Sequence, residues 1–347
     1  MKESKAISST ATRRQFLRTC GLTGLGFAAG SALPPVAHAV ARLGRNSIAV
    51  TRTLPLMGTF VALTVVHESR DLGEEAMGRA FEEMVRLIRI FDRHRGDTAV
   101  TVLNRDGRLA SAPPELNTVV ERTLSFHSLS EGAFDPTVAP IVDALRSRAA
   151  DGRSLSLAPA ELAELMALVD ARQIRCQDGR ITLGRQGMAV TLDGIAKGYI
   201  ADRASEVLSA CGVQNHLVNA GGDIRAQGSK GPGQPWTVAI EDPAKGGGYP
   251  AALSLRNRAV ATSGSYEAYF DRRRVHHHIV TPTTASSPQT AVSVSVLAPT
   301  AMEADALATA VMVMGPKSGI AFIDSLPCRE CLIITLTGAQ LRSRGWA

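Results

Sequence analysis

The chain has 347 residues, enough for one large domain or two, and its 45% apolar and 20% charged residues exclude wholesale disorder. Aromatic residues make up only 4%, too few for a surface built on stacked bases or sugars. The net charge of +6 suggests an anionic partner until its distribution along the chain is considered.

Much of that charge lies at the N-terminus. Thr12-Arg13-Arg14-Gln15-Phe16-Leu17-Arg18 precedes small and apolar residues from about Gly21 to Leu33, and Ala37-His38-Ala39 follows. A charged start, a short weakly apolar middle and an A-x-A end describe a cleaved secretory signal over residues 1–39. The paired arginines indicate the twin-arginine route to the periplasm. The apolar run falls short of the ~20 residues a bilayer span needs, and no later uncharged run reaches that length, so no stable membrane span is expected. Residues 40–347, read as the working domain, carry 33 basic and 31 acidic residues, a net of +2. Charge then no longer suggests nucleic acid. This part keeps Cys176, Cys211, Cys328 and Cys331; a single C-x-x-C pair does not make a four-thiolate zinc site and reads as a local disulfide or two free thiols.

Residues 51–66 alternate apolar and polar around Met57-Gly58-Thr59-Phe60, which predicts two strands and a tight glycine turn. Ala76, Ala80, Phe81, Met84, Val85, Ile88 and Phe91 recur at helical spacing and predict an amphipathic helix over 71–91. Helices follow near 115–131, 138–148 and 159–168. A strand from 188 is expected to lead into Gly194-Ile195-Ala196-Lys197-Gly198 and a helix to about 211. Strands are expected at 215–220, 236–241, 258–262, 276–280 and 291–298, with 228–250 as a long Gly/Pro-rich surface loop. Pro299-Thr300 opens a helix from Ala301 to Met314, and one more helix and two strands complete the chain. Strands and helices mix without strict alternation, which favours an α+β fold over a doubly wound sheet.

Several segments have chemistry beyond folding. In Asn219-Ala220-Gly221-Gly222-Asp223, adjacent glycines either end a strand in a plain turn or let backbone approach a ligand, with the acid beside them. Asp193-Gly194-Ile195-Ala196-Lys197-Gly198 resembles a phosphate-cradling helix entry without P-loop spacing. Thr262-Ser263-Gly264-Ser265-Tyr266 repeats the small-residue theme. Asp305 and Thr309 stand four apart on one helix face, either solvated or paired on a hard cation such as Mg²⁺. In Arg272-Arg273-Arg274-Val275-His276-His277-His278, three adjacent histidines on a strand cannot all face one metal, so a single functional histidine in a basic neighbourhood is the better reading.

Taken in order, Met57-Gly58-Thr59, Phe91 to Asn104, Gly132-Ala133-Phe134-Asp135-Pro136-Thr137, Gly194 to Tyr199, Asn219 to Asp223, Ala261-Thr262-Ser263-Gly264, His278-Ile279 and Ala304 to Thr309 resemble the ApbE family of FAD:protein FMN transferases, over about 52–325. The resemblance implies mixed sheets packed with helices and a flavin site in a cleft between two subdomains. It implies a periplasmic enzyme that moves the FMN half of FAD onto a Ser or Thr of an acceptor flavoprotein subunit, in a membrane-associated respiratory complex, with release of AMP. Asp305, Thr309 and the Ala196 carbonyl are implied to hold Mg²⁺, with Ca²⁺ as the other candidate. Met57, Phe134, Asp135, Thr137, Lys197, Gly221, Gly222, Asp223, Ser263 and Gly264 are implied at the cofactor site, and His278 and Asp305 in catalysis.

The chain also departs from the family pattern. Thr281 and Ala285 stand where the resemblance leads one to expect an acid and a glycine, Asp193 where glycine or asparagine is common, Thr191 where an acid is usual, and Asp92 and His94 where a serine and an aromatic are common. Two other readings share the same site: a NosX-like periplasmic flavoprotein that supplies flavin during nitrous-oxide reductase assembly, and hydrolysis of FAD to FMN and AMP. The acceptor signature, an acid shortly before Ser/Thr-Gly-Ala-Thr/Ser, is absent, so self-flavinylation is not indicated.

Overall fold

The computed structural model of the chain describes residues 11–12, 27–28, 37–43 and 47–346. Most of the expected export signal therefore lies outside the described residues. The cut expected after Ala39 falls inside the first long strand, β1 (Ala37–Arg42).

The strands that follow are β2 (Ile48–Leu56), β3 (Thr59–His67), β4 (Arg108–Leu109), β5 (Ile174–Gln177), β6 (Arg180–Leu183), β7 (Asn215–Ala220), β8 (Asp223–Gln227), β9 (Trp236–Ile240), β10 (Ala251–Leu255), β11 (Arg258–Gly264), β12 (Ala291–Ala298), β13 (Glu330–Thr335) and β14 (Gln340–Arg342). The helices are α1 (Arg70–Phe91), α2 (Ala99–Asp106), α3 (Pro114–Leu129), α4 (Ala139–Ala150), α5 (Pro159–Met166), α6 (Ala196–Ala210), α7 (Ala301–Met314) and α8 (Pro316–Asp324). Nine strands form one antiparallel sheet in the order β14-β13-β12-β11-β8-β7-β3-β2-β1. The α+β expectation holds.

Central strands of this sheet are buried on both faces, which explains their long apolar runs. Val61, Leu63 and Val65 of β3 point into the main core beneath α1, α6 and α7. Their neighbours Ala62 and Val66 point the other way, into a second core closed by Trp236, Val238 and Ile240 of β9 and by Leu253 and Leu255 of β10. The strand expected at 236–241 thus forms within the Gly/Pro-rich segment 228–250, and it is a buried cover strand rather than part of a surface loop. Helix α1 begins where Ser69 accepts a hydrogen bond from the Leu72 amide, and Ala76, Ala80, Met84 and Leu87 form its buried stripe.

Two expected strands are absent. Among the described residues, 188–192 pair with no strand, because the Asn104 side chain takes both ladder positions of Val190: it donates to the Val190 carbonyl at 2.9 Å and accepts from the Val190 amide at 2.7 Å. Residues 276–280 make only one bridge, His277 to Tyr269. Ser287 Oγ accepts from the His277 amide and donates to the His277 carbonyl, both at 2.8 Å, so a hydroxyl replaces the neighbouring strand. Among the elements not anticipated are α2, capped by Thr98, the β5–β6 hairpin, and the strands β1, β4, β8 and β10. Cys176, Cys211, Cys328 and Cys331 are free thiols. Among the described residues no helix is long and apolar enough to cross a membrane.

Candidate functional site

The site is built from turns that meet at one end of the large sheet. β2 and β3 are joined through Met57 and Gly58, both left-handed (φ 53° and 70°), the two-residue geometry that suits a twisted hairpin. β7 and β8 are joined the same way through Gly221 and Gly222 (φ 64° and 104°), and Asn219 Oδ1 accepts from the Gly222 amide at 3.1 Å. Val61 pairs with Ala220, which sets the two hairpins side by side. They touch so closely that a Cβ on Gly221 would lie 2.5 Å from Thr59. Met57 packs partly buried against the main core.

Helix α6 enters beside these turns, and its glycines are explained by α7. A Cβ on Gly198 would lie 2.3 Å from the Ala301 carbonyl oxygen, and one on Gly194 would lie 2.8 Å from Thr309 Oγ1 and 3.2 Å from the Phe134 ring. Asp202 of α6 caps α7, accepting from the Ala301 and Met302 amides at 2.9 and 2.8 Å. In return Asp305 of α7 accepts from the Gly198 amide at 3.1 Å. Thr309 Oγ1 lies 3.2 Å from Ser263 Oγ at the end of β11, next to Gly264. Ala196, Lys197, Asp305, Thr309, Ser263 and Phe134 are thus drawn together.

Electrostatics tie this group to the hairpin. Lys197 Nζ stands 3.4 Å from Asp223 Oδ2, a buried oxygen that has no hydrogen-bond partner among the described residues. Burial pushes the Asp305 carboxyl well above the usual range, and the Asp223 charge pushes it further, against the pull of Lys197 and the Gly198 amide. Asp223 is raised by burial as well, with Lys197 opposing. Burial by itself would lower the Lys197 ammonium, but Asp223, Asp305 and Glu267 outweigh it and hold it above the ordinary lysine range. Two buried carboxylates share one ammonium, which leaves the pocket short of positive charge.

That shortage is the test of fit for a cation. Asp305 and Thr309 present hard oxygens, and the first turn of α6 adds the backbone of Ala196, a donor set suited to Mg²⁺ or Ca²⁺. Among the described residues no cluster of three or more His, Cys, Asp or Glu side chains is placed to hold a metal. Any cation here must therefore rely on mixed carboxylate, hydroxyl and carbonyl ligands, which these residues supply.

His278 is half-buried, and its Nδ1 lies 3.4 Å from the Ala268 carbonyl. Burial, then the neighbouring His277 ring, lowers its pKa to about 4, and the charges of Asp193 and Lys197 reach it. The imidazole is neutral at pH 7, and with Nδ1–H directed at Ala268 the lone pair sits on Nε2.

Asp135 and Thr137 have a different place. Asp135 Oδ1 accepts from the Thr137 amide at 2.8 Å and from the Thr137 hydroxyl, while Oδ2 accepts from the Ala171 amide at 3.3 Å and lies 3.4 Å from His127. Both residues are buried and hold the turn Pro136–Val138 that presents Phe134.

An open cleft of about 110 Å³ lies against the glycine hairpin, lined by Thr59, Gly221, Gly222, Glu241, Lys245, Thr262, Tyr266 and Glu267. Glu241 ends the strand expected at 236–241 and Lys245 follows it in the Gly/Pro-rich segment; neither was singled out as a site residue. Tyr266 lies over Gly264, where a Cβ would lie 2.5 Å from the tyrosine ring.

The comparisons with known proteins agree with this geometry. A sequence model of the ApbE family matches residues 57–333. The FAD:protein FMN transferase of Treponema pallidum (strain Nichols) is 34% identical over 281 residues, covering 74% of this chain and 76% of that protein. Among solved structures, the ApbE protein of Thermotoga maritima matches with a TM-score of 0.74 at 28% identity, covering 89% of this chain and 97% of that one. The flavin transferase ApbE of Vibrio cholerae matches with a TM-score of 0.70 at 26% identity, covering 89% and 98%. With the matched region running from the Met57 turn through α7, where every residue of the cluster lies, the chain belongs to the ApbE family.

Proposed function

We propose that this protein is a periplasmic FAD:protein FMN transferase that esterifies a Ser or Thr hydroxyl of an acceptor flavoprotein subunit in a respiratory complex. The observation that carries the reading is the convergence of two glycine hairpins, the α6 entry and Asp305–Thr309 of α7 at one sheet end. In the reaction, the acceptor oxygen forms a bond to the FMN-side phosphorus, the bond from that phosphorus to the bridging oxygen breaks, and AMP leaves with that oxygen.

The chain's own residues have distinct tasks. The Gly221-Gly222 turn lets the dinucleotide approach backbone closely, and Lys197 places one ammonium against its phosphates. Met57 and Phe134 offer apolar contact for the ring system. His278 Nε2 accepts the proton of the attacking hydroxyl, and the Ala268 carbonyl fixes the tautomer that makes this possible. Asp305, Thr309 and the Ala196 carbonyl would hold Mg²⁺, which supplies charge neutralisation at the pyrophosphate when bound.

The test is to incubate the mature protein with FAD, Mg²⁺ and a flavin-acceptor domain, then follow the acceptor by mass spectrometry and the solution for AMP. FMN covalently attached to the acceptor with AMP released is the expected result. Free FMN with AMP in place of labelled acceptor would overturn the reading in favour of hydrolysis.

A further inference from the structure

The loop that delivers His278 also carries the run Arg272-Arg273-Arg274, for which the reaction above has no use. This loop is closely built. His278 N donates to the Ala268 carbonyl at 3.2 Å, and Phe270 N donates to the His276 carbonyl at 2.8 Å. Asp271 Oδ1 accepts from the Val275 and His276 amides at 2.9 and 3.0 Å. Tyr269 anchors the base through its hydroxyl, 2.9 Å from Ser265 Oγ, and the Arg274 guanidinium lies 5.8 Å over its ring. Phe270 seats the loop on Val138, Ile141, Val142 and Leu145, apolar residues in and beside α4.

The tip is left strongly positive. Arg272, Arg273, Arg274 and Val275 are exposed. Asp271, the one acid in the loop, is turned toward backbone amides and the His276 ring. Arg272 and Arg273 make no ion pair or hydrogen bond among the described residues. A hydrogen-bonded loop therefore holds two guanidinium groups, unpaired among the described residues, six and five residues before the proposed base, with part of the cost of ordering already met by folding.

We propose that Arg272 and Arg273 form a landing edge for an acidic stretch of the acceptor polypeptide. The proposal rests on the transferase reading and adds to it how the acceptor is chosen. Arg273 precedes His278 by five residues, a contour of at most about 17 Å. An extended acceptor covers that distance in about five residues, so its acids lie within about five residues of the hydroxyl that is modified. A polypeptide suits this edge better than an anionic membrane, whose recognition uses clusters of about 4–8 cations.

The test uses the mature chain, its Arg272→Glu/Arg273→Glu double variant, and short synthetic peptides that share one Ser/Thr core. One peptide is flanked by Asp and Glu, one by Asn and Gln, one by Lys. Arg274 is left in place because it stacks on Tyr269. Wild type should favour the acidic over the amide peptide about tenfold in KM, with the preference fading as salt rises. The double variant should lose that preference and gain on the Lys peptide, with kcat and FAD affinity, read by flavin fluorescence, unchanged. Equal KM for the acidic and amide peptides in wild type overturns the proposal. So does an acidic preference that survives the double substitution, or release from anionic vesicles by the variant without change in peptide KM. Binding of labelled acidic peptide, read by anisotropy, separates this proposal from the transferase reading. Wild-type binding that the variant loses supports the landing edge even where no transfer occurs, and absent transfer to any acceptor counts against the transferase reading alone.

Discussion

Gly198→Ala separates the close approach of α6 and α7 from ordinary helix propensity, because the two predict opposite signs. Alanine is favoured over glycine inside a helix by about 1 kcal/mol, so propensity predicts a more stable protein. The structure predicts the reverse. The new Cβ would lie 2.3 Å from the Ala301 oxygen, 2.6 Å from its carbonyl carbon and 2.8 Å from the Met302 Cα, all backbone atoms of a helix turn pinned by Asp202. Ordinary contact begins near 3.4 Å, so α6 must retreat by about 1 Å. Overpacking of this kind costs about 1–3 kcal/mol. The retreat also stretches the Gly198–Asp305 hydrogen bond, and loss of a donor to a buried carboxylate costs about 1–3 kcal/mol more. Set against the propensity gain, the net loss is about 1–5 kcal/mol, read as a lower urea midpoint. Transfer should fall about 100-fold with the cluster displaced by that distance. Gly78→Ala in α1 is the control: a Cβ there meets nothing within 4 Å, and the variant should gain up to about 1 kcal/mol. Equal or greater stability of Gly198→Ala would refute the argument from close approach.

Other expectations follow from the same cluster and from the core. Lys197→Met leaves Asp223 and Asp305 without their shared cation; the apo protein in EDTA should lose about 2–3 kcal/mol, below the full cost of a buried pair because 30% of the lysine side chain is exposed. Both carboxyls have raised pKa values in the fold, so that loss should shrink as pH falls and they protonate; a pH-independent loss contradicts the charge account. His278→Gln should bind FAD with unchanged fluorescence quenching yet lose transfer, while in wild type the acid limb of kcat/KM should lie near pH 4, where the imidazole protonates, rather than near 6.5. His216 is fully buried against Ser205 Oγ and the Val213 carbonyl, with its pKa lowered by burial to about 4. The unfolded chain binds the proton first, so stability should fall as pH drops from 6.5 to about 4, by at most about 3 kcal/mol, and His216→Gln should remove that slope.

The sequence is most legible where geometry is dictated locally. Met57-Gly58 and Gly221-Gly222 could be read as turns because only a few residues accept positive φ, and both hairpins form. Ala301–Met314 could be read from its cap and composition. The 276–280 segment could not, because its partner is the Ser287 hydroxyl rather than a strand, and side-chain pairing has no periodicity. Residues 188–192 fail for the same reason, with Asn104 as the partner. Asp135 and Thr137 entered through the family resemblance alone; the structure adds that their hydrogen bonds hold the turn beside Phe134, a pairing that no periodicity announces. Glu241 and Lys245 were invisible because a loop's reach into a cleft depends on the cover strand β9, which pairs only in three dimensions.

Ala285 adds a further point about local conformation. It keeps a left-handed backbone (φ 54°) where the family resemblance led to a glycine, with its amide donating to the Thr281 carbonyl at 2.9 Å. The turn after His278 thus holds an alanine in a conformation that favours glycine, at a cost of about 1–2 kcal/mol in backbone strain.

The most direct measurement is the stoichiometry of AMP to protein-bound FMN in one reaction containing FAD, Mg²⁺ and an acceptor domain, run with wild type and with Asp305→Ala. The account predicts one AMP for each FMN esterified by wild type, and neither product from the variant. AMP released without labelled acceptor, or undiminished labelling by Asp305→Ala, would contradict it.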